Sequence, residues 1–421
     1  MLDIKFIREK PAVVKKGVKD RGYDINIDAL LKYDKEYRQN LQELEKLKHK
    51  RNIISKEINK LKKQGKDISK KVKEVKKIPI EIEKIENAVK ELKNKIKEIM
   101  LIIPNLPDKS VPVGKGPNDN EKVKEWGEKP KFKFKPKLHF EIGKELDILD
   151  LDRSAKLAGS GFYVFKGLGA RLERALINFM LDFHIKDNWI EIFPPELVNE
   201  KTMIGTGNLP KFEEDLYKTK EGLYLIPTAE VPLTNLHADE ILNKEELPKH
   251  YCAYTPCFRT EAGRHGKETR GIFRLHQFDK VEMVTICEPK NSYEELEKMR
   301  ARAEKLLELL EIPYKTLILC TGDMGFAAAK TYDIECYAKA SDRYLETSSV
   351  SNCTSFQARR MNTKVRGKEG NIFVHTLNGS GLALPRLMIS ILENYQQEDG
   401  SLKIPKVLVP YTGGIKKIVK K

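Results

Sequence analysis

Long apolar runs are missing from this 421-residue chain, and tryptophan occurs only twice. No uninterrupted hydrophobic stretch approaches the roughly 20 residues that span a bilayer, which excludes a transmembrane helix, and the opening MLDIKFIREK lacks the apolar segment of a secretory leader. The cysteines number six (Cys252, Cys257, Cys287, Cys320, Cys336 and Cys353), with no C-x-x-C pair among them and no histidine-rich cluster nearby. This spacing argues against zinc and against a disulfide framework. We expect reduced, buried thiols in a cytoplasmic protein with no membrane association. No Walker-type phosphate loop and no strand-linked G-x-G-x-x-G occurs; GRHGKE at 263–268 has the wrong spacing and no hydroxyl residue. A nucleotide, if one binds, has to be held another way.

What the chain has in excess is positive charge, and it is concentrated. The net charge is +16, and residues 41–100 carry 19 Lys or Arg against 10 Asp or Glu, a surplus of 9. A local surplus of this kind suits a polyanion, because neutralising phosphates releases counterions; a solvated Lys/Glu-rich helix has the same composition. Within this region Val75, Ile78, Ile82, Ile85, Val89, Leu92, Ile96, Ile99 and Ile103 recur at spacings of three and four, a heptad seam. Tyr37, Leu41, Leu44, Leu47, Ile54, Ile58 and Leu61 form a rougher one, interrupted by Arg51. Between them KKQGKDISKK, with Gly65, reads as a hairpin tip. The pattern predicts two antiparallel helices of ~35 residues, each ~50 Å long. Pro79 predicts a local bend or a late start of the second helix. The Pro-, Gly- and Asn-containing IIPNLPDKSVPVGKGPNDN reads as a linker, and KPKFKFKPKLH as an edge strand or extended connector.

A second region begins near His139. Leu172, Ala175, Leu176, Phe179, Met180 and Phe183 share one face of an amphipathic helix, a pattern that ordinary core packing explains as well as a special role does. WIEIFPPELV reads as a strand ended by Pro194 and Pro195. Short strand patterns then dominate: GLYLIPTAEV, HYCAYTPCFRTEAG, GIFRLHQFDKVEMV, YKTLILC, TYDIECYA, RYLETSSVSNC and IFVHTLN. Helical patterns interrupt them only at Tyr293–Leu310 and Leu382–Tyr395. With few strand-helix-strand alternations, the expected fold class is α+β: a two-helix coiled-coil arm on a body with a mostly antiparallel sheet flanked by helices. The expected boundaries are 1–110 for the arm domain, 111–138 for a linker and 139–421 for the body.

Strand alternation places Arg274, Phe278 and Glu282 on one face and Phe273, Leu275, Val281 and Met283 on the other. The second set is apolar and wants a covering helix, which leaves the first set on an open face. Arg259 and Glu261 pair similarly on the preceding strand, joined through the basic, glycine-punctuated AGRHGKETRG. An arginine fork suits phosphate or carboxylate, and a phenylalanine face can stack a base. In YLETSSVSNC, Glu346 and Ser349 are oxygen donors suited to a hard cation such as magnesium. LNGSGLALPRLMISILENY reads as a strand ending at Asn378, a Gly379-Ser380-Gly381 turn and a helix with Pro385 and Arg386 in its first turn. Arg386 beside that positive helix end is unfavourable unless an anion sits there.

Taken together, WIEIFPPELV, FRTEAG through RLHQFDKVEM, and LNGSGLALPR resemble the three signature motifs of class II aminoacyl-tRNA synthetases. With IPTAEVPL, ETSSVSNC and the N-terminal hairpin, the whole chain resembles the seryl-tRNA synthetase family of the common zinc-free kind. The resemblance implies ATP-dependent attachment of L-serine to serine tRNA, through a seryl-adenylate, by a homodimer that uses Mg2+. It implies that Arg259 contacts the α-phosphate and the serine carboxylate, that Glu261 takes the adenine amino group, and that Phe278 and Arg386 sandwich the adenine. Arg386 also reaches the γ-phosphate. Thr260, Arg274, Leu275, Thr347 and Ser348 belong to the same ATP pocket, and Glu346 and Ser349 hold the magnesium. Thr228, Ala229, Glu230 and Asn378 bind the serine ammonium end, while Glu282 and Ser380 read its hydroxyl. Arg259 and Arg386 are the implied catalytic residues, the basic arm grips the long variable arm of the tRNA, and the Leu172–Phe183 helix forms the dimer interface. Selenocysteine tRNA is a further substrate that the resemblance allows. Two other readings are a paralogue that activates a small amino acid for a non-tRNA acceptor and a non-catalytic coiled-coil nucleic-acid-binding protein.

Overall fold

The computed structural model describes residues 1–262 and 270–420; most of the AGRHGKETRG loop lies outside them. Contacts divide the chain into two units: residues 2–19 with 23–103, and Met1 with 20–22 and 104–421.

In the first unit two helices, α1 (Ile27–Lys63) and α2 (Ser69–Ile102), make the expected hairpin. The Asn26 side chain caps α1 by accepting the Ala29 N–H at 2.9 Å, and Gly65, at φ 69°, takes the left-handed conformation in the reversal. Leu44, Ile54, Ile78 and Ile82 are buried along the seam, flanked by Leu47, Ile58, Val75 and Ile85. Cross-pairs Lys48–Glu86 (2.7 Å), Lys50–Glu74 (2.8 Å) and Lys71–Glu57 fix the antiparallel register, though exposed pairs of this kind each contribute under about 1 kcal/mol. Pro79 lies inside α2, so the late start is excluded: buried Ile78 and Ile82 on either side keep the helix packed past the main-chain bond that proline cannot donate.

The second unit is built on one eight-stranded sheet. Its strands in chain order are β1 (Glu121–Trp126), β2 (Ile190–Glu191), β3 (Lys249–Phe258), β4 (Gln277–Cys287), β5 (Tyr314–Ile318), β6 (Lys330–Ala338), β7 (Arg343–Asn352) and β8 (His375–Ala383). Their spatial order is β1-β5-β6-β7-β8-β4-β3-β2. All neighbours are antiparallel except β2 and β3. One face packs on α3 (Leu168–Ile185), α4 (Ser292–Leu309) and α5 (Leu384–Asn394), burying Leu172, Leu176, Val281, Met283, Leu296, Leu345, Val350, Leu377, Leu382 and Leu387 in one apolar cluster. The expected α+β class with a mostly antiparallel sheet is the one observed.

Three local expectations are corrected. The stretch 111–138 is no plain linker: Glu121–Trp126 forms an edge strand paired with β5, whereas the Lys/Phe-alternating 129–137 forms none. The contact division falls at 103/104, not at 110, because Asn105 is tied into the body through its N–H to Phe326 O (3.0 Å) and its amide to Cys353 O (2.8 Å). Residues 379–381 are no turn either, since β8 runs through them to Ala383. Glycine there answers close approach: a Cβ on Gly381 would lie 2.5 Å from His184 Nε2, and one on Gly379 would press on Val350 Cγ2 at 3.0 Å.

Arg21, 3% exposed, donates to four backbone carbonyls, those of Asn105, Ala328, Met324 and Gly325, at 2.7–3.0 Å. It thereby anchors the loop that carries Gly325. The six cysteines are buried and unpaired; burial pushes the Cys252, Cys287 and Cys336 thiols up to about 12, which makes them inert. Among the described residues no helix is long and apolar enough to cross a membrane.

Candidate active site

A cavity of about 390 Å³ opens on the sheet face opposite α3 and α4. Its floor is β4, β8 and β7. On β4, Phe278, Lys280 and Glu282 face the cavity while Val281 and Met283 enter the core, as alternation requires. On β7, Glu346 and Ser349 are three residues apart and would face opposite sides of a regular strand. A register shift between Glu346 and Ser348 changes the phase, and both line the cavity. A second shift, between Ser380 and Leu382 on β8, lets Asn378 and Ser380 face the cavity and Ala383 join them.

Residues beyond the strand ends complete the walls. Arg259 and Glu261 lie past the end of β3 and Arg274 lies ahead of β4, so the strand-face expectation for these three is corrected: they reach the cavity from connecting segments. The Arg259 N–H still bonds His276 O at 2.9 Å, which extends the β3–β4 pairing by one step. Its guanidinium lies over the Phe278 ring at 5.2 Å, within cation–π range. Glu261 sits at φ 51°, with its carboxylate 3.5 Å from the Arg274 guanidinium. Arg386, in the first turn of α5, donates to the Glu346 carbonyl at 2.8 Å and lies 3.3 Å from its carboxylate. This partner offsets the unfavourable placement of a cation at a helix start.

At the deep end the polar groups interlock, with Thr228, Lys280 and Glu282 buried and Glu230 half-buried. The Thr228 hydroxyl donates to Glu282 at 3.1 Å and accepts from Lys280 Nζ at 2.8 Å, and Lys280 pairs directly with Glu282. The Glu230 carboxylate accepts from Gln357 Nε2 at 2.7 Å. Burial, then repulsion from Glu282, pushes the Glu230 carboxyl up to about 7, against the opposing pull of Gln357, Lys280 and Asn378. Asn378 Oδ1 is buried and accepts no hydrogen bond from a described residue. An acceptor left so costs about 1–3 kcal/mol, so this corner is built to receive a donor. The arrangement suits a small molecule with a cationic end near Glu230 and Asn378, a hydroxyl near Glu282 and an anion near Arg259.

The cavity thus gathers Thr228, Glu230, Arg259, Glu261, Arg274, Leu275, Phe278, Glu282, Glu346, Thr347, Ser349, Asn378, Ser380 and Arg386. Three expected residues keep their side chains elsewhere. Ala229 packs in a separate apolar cluster, the Thr260 hydroxyl donates to Glu214 O at 2.7 Å, and the Ser348 hydroxyl donates to Ser380 O at 2.6 Å. Sequence reasoning missed Lys280, although the alternation that selects Phe278 and Glu282 selects it equally. It also missed Gln357, for which the sequence carries no signal. No group of three or more His, Cys, Asp or Glu able to hold a metal occurs among the described residues.

A family model described as the seryl-tRNA synthetase N-terminal domain matches residues 1–107, and one described as the tRNA synthetase class II core domain (G, H, P, S and T) matches residues 211–395. Over 419 residues the chain is 53% identical to a serine–tRNA ligase of Methanosarcina barkeri, covering 99% of each. The fold superposes on a seryl-tRNA synthetase from Pyrococcus horikoshii complexed with ATP, with TM-score 0.94, 41% identity and 100% of both chains covered. It also superposes on a cytoplasmic serine–tRNA ligase from Naegleria fowleri in complex with AMP, with TM-score 0.89, 32% identity and coverage of 100% of this chain and 99% of that one.

The half-buried Glu230 carboxyl keeps its proton to about pH 7 in the folded chain, against an ordinary value of 4.5. The folded state therefore binds more protons than the unfolded state between these values, and the group's contribution to stability declines as pH rises through that window. Glu230→Gln removes this dependence. The stability of this variant relative to wild type is expected to be greater at pH 8 than at pH 4.5 by on the order of 3 kcal/mol. Urea denaturation at the two pH values measures it, and an equal difference at both would contradict the assignment.

Proposed function

The chain belongs to the seryl-tRNA synthetase family of class II enzymes, ligases that use ATP to attach serine to tRNA, and from that premise we propose that the cavity binds ATP and L-serine side by side. The observation that carries this reading is convergence: Phe278 and Arg386, 108 positions apart by their numbers, open into one cavity with Glu230, Arg259, Glu282 and Glu346.

In this reading the serine ammonium lies between Glu230 and Asn378 Oδ1, with Thr228 beside them. An ammonium there favours the ionised carboxylate that burial alone disfavours. The serine hydroxyl meets Glu282, which Lys280 and Thr228 hold in place, and Ser380. Arg259 receives the serine carboxylate and the α-phosphate, its fork matching both. Adenine stacks between Phe278 and Arg386, its amino group directed to Glu261, and Arg274 and the Leu275 backbone close the nucleotide pocket; Thr260, Thr347 and Ser348 contribute through the segments that carry the neighbouring contacts. Glu346 and Ser349, brought to one side by the register shift in β7, fit Mg2+, which takes few protein ligands and keeps phosphate oxygens and waters for the rest. Bound there, the ion supplies charge neutralisation to the triphosphate.

The chemistry then needs no general base. A serine carboxylate is already ionised; its oxygen attacks the α-phosphorus, the bond to the β-phosphate oxygen breaks, and pyrophosphate leaves. Arg259 and Arg386 position the groups in line and stabilise the charge that builds up. The acyl group of seryl-adenylate passes to a hydroxyl of the terminal adenosine of the tRNA, the acyl–phosphate bond breaks and AMP leaves. The basic arm binds serine tRNA through phosphates and shape. The unpaired thiols accord with the cytoplasm as the compartment.

We assign the homodimer contact to a different face of α3 from the one the sequence singled out. Leu172, Leu176, Phe179 and Met180 are buried in the monomer's own core. The neighbouring face, with Arg174, Ile177, Asn178 and Leu181, lines a second cavity of about 520 Å³ beside Phe193. Phe193 is 90% exposed and Ile190 53%, and apolar exposure of this kind marks a contact surface.

Three experiments follow. Glu282→Ala is expected to lower serine-dependent ATP–pyrophosphate exchange by at least about a hundredfold while ATP KM stays within about threefold, because a hydroxyl-reading group has been lost; exchange at the wild-type level refutes the serine pocket. Replacing residues 41–89 of the arm by a short glycine-serine linker should leave exchange intact and lower tRNA charging kcat/KM by roughly two orders of magnitude; undiminished charging removes the arm from tRNA binding. Phe193→Glu should shift the protein from dimer to monomer in sedimentation, and a persistent dimer would place the contact elsewhere.

A further inference from the structure

His139 opens the short helix His139–Glu145 and is fully buried, as is Glu393 in the last turn of α5. Glu393 Oε1 accepts the His139 backbone N–H at 3.3 Å and lies 3.1 Å from His139 Nδ1. Glu393 Oε2 accepts both the backbone N–H and the hydroxyl of Ser341, each at 2.9 Å, in the turn between β6 and β7. On the far side of the ring, the Ile272 backbone N–H points at His139 Nε2 from 3.3 Å. A backbone N–H can only donate, so Nε2 must be the unprotonated nitrogen and Nδ1 must carry the proton that goes to Glu393. The tautomer is dictated by these two partners.

The ring also fits its slot by shape. Gly271, at φ 77°, faces it so closely that a Cβ there would overlap Nε2. Phe273 meets the ring edge-on at 5.0 Å, and Arg343 of β7 lies over Phe273 at 4.8 Å. Ile272, Phe273, Arg274 and Leu275 all line the cavity, and they lie just ahead of β4. The His139–Glu393 pair thus ties the cavity wall that carries Arg274 to the helix that carries Arg386 and, through Glu393, to the turn entering the strand that carries Glu346.

We propose that His139 is a positioning residue for the nucleotide: held by Glu393 as the Nδ1–H tautomer, it clamps the Ile272 backbone and sets the 272–275 wall at the distance from α5 that ATP requires. The inference rests on the nucleotide site proposed above. It concerns ATP and not serine, because Glu230, Glu282 and Asn378 belong to the separate polar cluster at the deep end.

The test is serine-dependent ATP–pyrophosphate exchange by the full-length enzyme, with ATP and serine varied separately. His139→Leu fills similar space without either hydrogen bond, and is expected to raise ATP KM about tenfold while serine KM stays within about twofold. His139→Gln, whose amide both donates and accepts, should recover ATP KM to within about threefold of wild type. Gly271→Ala, which displaces the ring and alters no group that touches substrate, should reproduce the ATP-specific defect, and decides the matter if His139→Leu does not fold. An unchanged ATP KM in these variants, a parallel rise in both KM values, or no recovery with glutamine overturns the proposal. Phe278→Ala separates the two levels: if it raises ATP KM while His139→Leu and Gly271→Ala do not, only the clamp is wrong, and if it too leaves ATP KM unchanged the nucleotide site falls with it.

Discussion

Side chains of a β-strand alternate between two faces, and the site depends on where that alternation is broken. The face of the sheet that meets α3, α4 and α5 must supply apolar residues, and the opposite face must supply the polar floor. On β4 the two demands are met by simple parity. On β7 and β8 they are not: Leu345 and Val350 both belong to the core, as do Leu377 and Leu382, although each pair has opposite parity. Only the register shifts between Glu346 and Ser348 and between Ser380 and Leu382 reconcile core and floor. Removing either shift would turn half a strand's polar groups into the hydrophobic cluster, at a cost of several kcal/mol for each unpaired group.

The same layering explains the electrostatics. Lys280, Glu282 and Glu230 lie beneath the open mouth, where water cannot solvate them well, so each ionised group depends on a named partner. Glu282 has Lys280 and Thr228. Glu230 has amide donors and a neighbouring negative charge, and it retains its proton to about 7. A cationic ligand end is what would complete that corner, and a pocket that relies on its ligand to finish its charge pairing discriminates strongly against molecules lacking the right group. The arginines sit at the more open end, where water still reaches them.

Much of this architecture is legible in the residues alone. The heptad spacing from Val75 to Ile103 specifies the hairpin arm, and the polar, glycine-containing tip specifies its reversal. The pairing of Phe278 with Glu282 follows from alternation, and Lys280 is available by the same rule. What misleads is glycine: Gly379-Ser380-Gly381 has turn composition, yet there glycine serves close approach of Val350 and His184 inside a continuous strand. The helix pattern at Leu172–Phe183 correctly marks a buried face, but burial within one chain and burial between two chains look alike in a sequence, and the core claims that face. Gln357, 127 positions from its partner Glu230, cannot be found from spacing at all.

Local periodicity and side-chain chemistry were enough to mark the arm helices, most strands of the sheet, the apolar faces and the residues that bear charge, though not the strands at 121–126 and 379–381. Tertiary structure alone decided which charges meet. The phase shifts in β7 and β8, the Lys280–Glu282 pair beside Glu230, and the contact of His139 with both Glu393 and Ile272 depend on elements distant in the chain being packed at one depth. Free energies of that kind arise from desolvation and geometry, which no one-dimensional pattern records.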